Sequence, residues 1–565
     1  MPLSYNPSHP GAYNSVWGPV FLSSRDITGQ VPINKVEYPG VNVQAVCSPD
    51  NVFEHDRYRR CLSDLLGAQA RWFIFDIYWD YTNRQFGLCP VQLPSQDPNT
   101  TSTTTTAATR PRDDAIDGSE ADANADGLLQ LGPYQCSDSL TFDAVLDLFH
   151  NYFSATSSKV LARVVQFKLN LHAAALPSQP EDPAPTPTED QMPTSSELVG
   201  HLLNSDEMQP FVYPFSELLS DRSNLNVSWY APDDPYAMQS TRYFNTSLTS
   251  ITNMTTTGNS TNIDVLSTQD GWPSELHLLF SKYYRLLVTW GTVDDQMAAY
   301  DFASDSSTVF PRDYMSTEHT FQADATTGAL SSGCFYDDTT TNSSAASATA
   351  YLDFTAASVL GWAPGEPQNS SSVPRAQLHG HASQFRCAVI DSSPAYAGHW
   401  RVANCQQRFV AACRVDTEPF RWRLTQHAVT FHDAPAACQS AVAAAASSSD
   451  TDTDTVFVFD QPHTGLENTY LHHYILSQSA AAAWINLNSL SSEGCWVTTG
   501  PNGTCKYTND LDIVNDRRIL IPTIGALIIL ILVVLTALAK CNSNYRHNRK
   551  TKTGPGGWEY EGVPS

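Results

Sequence analysis

The sequence predicts an α/β chain: a βα-type barrel or sheet, then a cysteine-rich α+β region, then one membrane-crossing helix and a short tail. Three observations carry that reading. Apolar, strand-like runs alternate with helical patterns between about residues 20 and 312, cysteines recur from 313 to 510, and Ile519 to Ala539 contains no charged residue.

Taken in order, residues 1–19 read as an unstructured or truncated leader, interrupted by Pro2, Pro7, Pro10 and Pro19. Phe73-Ile74-Phe75-Asp76-Ile77-Tyr78-Trp79 has the β-branched and aromatic content of a buried strand. Val145, Leu146, Leu148 and Phe149 form one apolar face of a helix over Phe142–Phe153, and a strand follows over Ala162–Leu171. Glu275–Tyr284 reads as a helix and Leu286–Trp290 as a strand. Two stretches, 97–133 (Thr-rich, then acidic) and 174–198 (rich in Pro, Ser, Thr and Glu), hold too little apolar surface to fold and are predicted to be disordered insertions. A shorter polar run at Ser447–Thr455 separates an Ala-rich helix from a strand.

Residues 511–518 read as a stalk. The 519–539 segment then has the roughly 20 apolar residues that a helix needs to cross about 30 Å of hydrocarbon. Lys540, Arg546, Arg549, Lys550 and Lys552 place the tail, 540–565, in the cytosol, although Arg517 and Arg518 weaken the bias. The sequons at Asn99, Asn226, Asn245, Asn253, Asn259, Asn342, Asn369 and Asn502 all precede the helix, as do all cysteines except Cys541. Both features suit an oxidising lumen and predict a single-pass type I glycoprotein of the secretory route or cell surface. Such a topology needs a leader, and Met1–Leu22 has no basic start or clean apolar run. The expectation is a leader encoded upstream; the alternative is a C-terminal tail anchor with the large domain in the cytosol. Cys541, among basic residues at the membrane face, is a palmitoylation candidate, and Tyr560-Glu561-Gly562-Val563 fits a short sorting signal.

A net charge of −26 repels nucleic acid, so no nucleic-acid partner is expected. The sequence has no P-loop, G-x-G-x-x-G, G-x-S-x-G or C-x2-C, and His472 and His473 are adjacent and would diverge on a helix. Neither a metal nor a cofactor is expected.

Ser24-Arg25-Asp26, Val31-Pro32-Ile33-Asn34 and Pro39-Gly40-Val41-Asn42, followed by the Asp76 strand, resemble the X-type catalytic domain of phosphatidylinositol phospholipases C. The resemblance implies a distorted TIM-type barrel whose two histidines act as acid and base. The first histidine position is Asn42 here, which cannot exchange a proton near neutral pH. Asn42 and Asp76 therefore mark a degenerate active site, with His55 and His150 off the motif. Gly361-Trp362-Ala363-Pro364-Gly365-Glu366-Pro367, Cys387, Trp400, Cys405 and Cys413 resemble the C-terminal half of a C-type lectin-like domain, and 420–505 resembles its N-terminal half. The halves are in reversed order, so they are two degenerate modules or one permuted module. A permuted module implies the pairs Cys387–Cys405 and Cys413–Cys438, with Cys495–Cys505 closing a local loop; a separate first module would join Cys334 to Cys413. Only Glu366 matches a calcium-ligand position, since Arg401 and Val402 replace the Asn-Asp pair.

Tyr38-Pro39-Gly40-Val41, Asp76-Ile77-Tyr78-Trp79-Asp80, Trp272-Pro273-Ser274-Glu275 and the Tyr-Glu-Gly-Val-Pro-Ser ending are similar to the fungal maintenance of telomere capping protein 6 family. That similarity implies an association with telomere capping, and an acidic domain on the luminal side of a membrane would make it an indirect one. The expected protein is a non-catalytic luminal scaffold or receptor-like module with a protein or glycan partner. A phosphodiesterase acting on phosphoinositide or GPI-type substrates is the alternative.

Overall fold

The computed structural model describes residues 3–8, 17–94 except 30, 37 and 39, 128–311 except 235, 237–247 and 252–264, 335–336, 361–368, 385–507 except 416–417 and 446–455, 529–538 and 556. Two units are distinguished, Met1–Cys505 and Lys506–Ser565.

In the larger unit, period-2 alternation sorts the strand residues between a dry face and a polar one. Along Trp72–Asp80, the side chains of Phe73, Phe75, Ile77 and Trp79 are buried, whereas Ile74, Asp76 and Tyr78 are half-buried on the other face. Val165–Ala173 repeats this, burying Val165, Phe167, Leu169 and Leu171 and turning Gln166, Lys168, Asn170 and His172 the other way. The sheet order is Leu286–Val293, Val165–Ala173, Trp72–Asp80, Gly40–Asn42, Phe335–Tyr336, every neighbour parallel, with Gln85–Gly87 added antiparallel beside Trp72–Asp80. Parallel neighbours require crossovers, and the connecting segments carry helices: His55–Gly67, Phe142–Ala155, Phe215–Ser223 and Glu275–Phe280. The helix Phe142–Ala155 starts where Thr141 caps the Ala144 N–H at 3.2 Å. Its Phe149 ring meets Phe73 at 5.3 Å and Phe167 at 4.6 Å, both edge-on. Burying such a ring contributes about 1.5–3 kcal/mol, so this face is the main core.

Four boundaries differ from the sequence reading. Within 1–19, residues 3–8 are packed rather than unstructured: Leu3 is buried in the main core, Tyr5 meets Tyr152 edge-on at 5.1 Å and the Asn6 N–H reaches Ser63 at 3.1 Å. Residues 174–198 are ordered as well. Turns held by hydrogen bonds replace a core there, because Arg84 clamps Glu197 through two bonds of 2.6 Å and Trp79 donates to the Gln191 carbonyl at 2.9 Å. The Arg84 fork holds the Glu197 carboxyl down to about 2, against slight burial. Within 97–133, the strand Leu129–Leu131 pairs with Tyr134–Cys136. The sheet also passes 312, since Phe335–Tyr336 lies beside Gly40–Val41.

The cysteine-rich region is one module. Ala482–Asn488 runs antiparallel to Phe385–Asp391 and parallel to Val410–Val415, so a strand of the second half lies between two strands of the first. Disulfides join Cys387 to Cys405, Cys413 to Cys438 and Cys495 to Cys505. Two further bridges, Cys47–Cys61 and Cys89–Cys136, staple the barrel part. The helix Trp17–Thr28 belongs to both parts. Val20 and Ile27 pack with Trp362 and Trp400, while the buried Arg25 donates to the carbonyls of Lys159 at 2.6 Å and Ala162 at 3.1 Å.

In the smaller unit, 529–538 is helical, and the apolar side chains from Ile529 to Leu538 are exposed, Ile529 by 63% and Leu538 by 60%. Among the described residues no helix is long and apolar enough to cross a membrane; 519–528 and 539 of the expected span lie outside them.

Candidate functional site at the strand ends

The two ends of the parallel sheet hold different chemistry. At the N-terminal ends sits Glu275, fully buried, paired with Arg71 at 3.0 Å. It also accepts from the Tyr38 hydroxyl at 3.0 Å and the Val164 N–H at 3.1 Å. Burial alone would raise this carboxyl, but Arg71 and Arg163 outweigh it and hold the group below its usual range. The motifs around Arg25, Tyr38 and Glu275 converge here, each occupied in holding one element to another. This is the end at which barrel folds store stability.

Chemistry in barrels is placed at the opposite, C-terminal ends. Register brings Asp76 beside Asn170 and Tyr78 beside His172. The Asn170 amide donates to Asp76 Oδ1 at 2.8 Å and accepts the Thr292 N–H at 2.9 Å. Gly291 permits this approach, since a Cβ there would stand 2.3 Å from Asn170 Oδ1. His172 lies between two carboxylates: Nε2 is 3.2 Å from Asp76 Oδ1 and Nδ1 is 2.9 Å from Asp294 Oδ2. The Tyr78 ring stacks on it at 4.9 Å, and its hydroxyl reaches Gln44 at 3.4 Å. Burial would lower the His172 pKa, but Asp76 and Asp294 prevail and raise it. Burial and the carboxylate Asp76 push the Tyr78 phenol far up, so it stays protonated. With an acceptor at each nitrogen, both nitrogens of the ring are satisfied only in the imidazolium form.

Asn42, which stands at the degenerate histidine position, is a helix cap. Its Oδ1 accepts the Ala45 N–H at 3.1 Å and starts the turn Val43–Cys47. His55 and His150 sit on the helices His55–Gly67 and Phe142–Ala155, 3.9 Å from Asp56 and Glu207, and take no part in the cluster. His172, Asn170 and Asp294 were missed by sequence reading. A signal existed: strands of buried parallel sheets are apolar on both faces, and Gln166-x-Lys168-x-Asn170-x-His172 puts four polar side chains on one.

In the cysteine-rich module, Glu366 accepts the N–H groups of Gln368 at 2.9 Å and Val402 at 3.1 Å, while Arg401 pairs with Asp391 at 2.6 Å. Among the described residues no group of His, Cys, Asp and Glu is placed to hold a metal ion. Of the sequons, Asn502 is exposed and Asn226 half-buried; Ser228, in the latter's sequon, is buried with its hydroxyl on the Asp221 carbonyl at 2.9 Å. Asn99, Asn245, Asn253, Asn259, Asn342, Asn369, Cys334, Cys541 and Tyr560 lie outside the described residues.

An open, parallel βα sheet with a polar cluster at its strand C-termini defines a partial TIM-barrel protein. The family model described as the MTC6 partial TIM-barrel domain matches residues 20–361. The chain belongs to that family, maintenance of telomere capping protein 6. Relatives of that name include the protein of Saccharomyces cerevisiae, 21% identical over 586 aligned positions covering 96% of this chain and 90% of the relative. Those of Lachancea thermotolerans and Zygosaccharomyces rouxii are each 28% identical, over 215 and 210 residues. These two matches cover 36% of this chain and 39% of each relative. No solved structure matches the chain.

Proposed function

We propose that this chain is a non-catalytic, membrane-tethered glycoprotein of the secretory route, acting as a luminal scaffold or receptor-like module, and that its part in telomere capping is indirect. The observation that carries this reading is the occupied imidazole: His172 has a carboxylate at each nitrogen, and Asn42 is a helix cap. General acid–base chemistry needs a ring nitrogen within reach of substrate, and both nitrogens of His172 are taken up by carboxylates of the chain itself. The relatives' name supplies the telomere association; a charge of −26 argues against contact with DNA. The exposed apolar helix at 529–538 and the positive tail support the anchor.

The phosphodiesterase reading draws on one observation, that the cluster lies at the strand ends where barrel enzymes work. The test is turnover of phosphoinositide and GPI-type substrates by the full-length chain in detergent. No turnover is expected; turnover abolished by Asp76→Asn would overturn the non-catalytic reading. An endoglycosidase mobility shift checks the topology, and an unshifted protein would sink it.

A further inference from the structure

The geometry points to a proton-operated latch: protonated His172 ties the turn after Leu286–Val293 to the strand ends, and its deprotonation frees that turn and opens the Asp76 cluster. The inference rests on reading these strand ends as a binding rather than a catalytic surface.

Three elements meet at the ring. Asp76 and Tyr78 come from Trp72–Asp80, His172 from Val165–Ala173, and Asp294 from the turn that begins the short helix Asp295–Met297. A neutral imidazole carries one N–H, so it can donate to one carboxylate and must turn a lone pair toward the other. Proton loss therefore converts one of two charge-assisted bonds into a repulsion. The weaker tie is set by exposure: the Asp294 side chain is 42% exposed and that of Asp76 17%, and Asp76 is also held by Asn170. Asp294 is the side that lets go.

Among the described residues, the side-chain partners of these two carboxylates are His172 and Asn170. Around the ring, Tyr78 is protonated throughout, and Tyr58, hydrogen-bonded to Ser48 at 2.9 Å and within electrostatic reach of Asp76, is held protonated by burial as well. Lys168 lies on the same face of its own strand, four residues before His172. The turn is tied by the Asp294 N–H to the Leu171 carbonyl at 3.0 Å, then Met297 to Asp294 at 2.9 Å, Ala298 to Asp295 at 3.2 Å and Tyr300 to Met297 at 3.0 Å, with the Met297 side chain anchored in the main core. Losing the side-chain tie thus shows in those amides. The sign follows from the raised pKa: the latch is complete below about pH 6.5 and is lost as pH rises through the higher folded value. The site is closed at acid pH and loosens only as pH rises through that higher value.

Hydrogen–deuterium exchange on the full-length chain in detergent, corrected for intrinsic rates, tests this at about pH 5.5 and about pH 8.5. Protection of the Asp294, Met297 and Ala298 amides is expected to fall about fivefold at the higher pH, while Phe167 and Leu169 keep theirs. Asp294→Asn, which leaves a neutral acceptor for the ring, should remove the pH dependence. Constant protection in the unaltered chain, or full pH dependence in a folded Asp294→Asn variant, would overturn the latch. The unaltered chain decides the first point without any substitution, and His172→Gln is the second variant should Asp294→Asn not fold. Turnover in the phosphodiester assay would defeat the non-catalytic reading while leaving the exchange result as measured, so the two fail separately.

Discussion

The two ends of one parallel sheet make the instructive comparison. At the N-terminal end, the Glu275 carboxylate is wholly out of water and satisfied by Arg71, Tyr38 and Val164. At the C-terminal end, His172 and Asp76 keep about a fifth of their side-chain surface in solvent. The same ion-pair chemistry therefore does different work. Buried and over-determined, it fixes the elements; partly wet, it responds to pH.

The largest expected effect breaks the buried end. Glu275→Ala leaves the Arg71 guanidinium without its carboxylate and should cost about 3–5 kcal/mol, read as a loss of folded protein or a large fall in unfolding midpoint. A loss no greater than that of a surface mutation would show that the two ends do not differ as described.

Next, the barrel part is also stapled by Cys47–Cys61 and Cys89–Cys136. Removing the second bridge with Cys89→Ser and Cys136→Ser together should cost about 3 kcal/mol by denaturant unfolding under non-reducing conditions. Asn42→Ala, which deletes the cap on Val43–Cys47, should cost about 1 kcal/mol, and Asn42→Asp should restore it.

The smallest effect separates the ends by sign. The Glu275 carboxyl is lowered, so its contribution is present above the unfolded value near 4.5 and is lost as pH falls through the lower folded value. The His172 contribution runs the other way, present below 6.5 and lost as pH rises through its raised folded value. Between about pH 5.5 and about pH 8.5 a small loss, on the order of 1 kcal/mol or less given the exposure of Asp294, is expected, and it should be absent in His172→Gln. A His172→Gln chain with an unchanged pH–stability curve would remove the contrast.

Much of the barrel was legible in the sequence. Phe73–Trp79 and Phe142–Phe153 were readable because strand and helix periodicities are local, and the structure places Trp72–Asp80 and Phe142–Ala155 there. The site was legible at Asp76 only. His172 is 96 residues from Asp76 and Asp294 is 122 from His172, separations set by parallel pairing across helical crossovers rather than by any motif. Residues 174–198 misled for a related reason: composition reports the capacity to form a core, and that segment is held by Arg84 and Trp79 from a distant strand and turn.

By itself the sequence determined the alternation of βα units, the cysteine-rich module, the apolar 519–539 segment and the acidic charge, because each depends on residues close together in the chain or on their total. Only the tertiary structure decided that the reversed halves share one sheet, that the helix Trp17–Thr28 joins both parts, and that one histidine sits between two carboxylates. Register is the physical reason. A one-residue slip in any of these strands would turn His172 or Asp76 to the dry face, and register is set by packing of the whole apolar face at once.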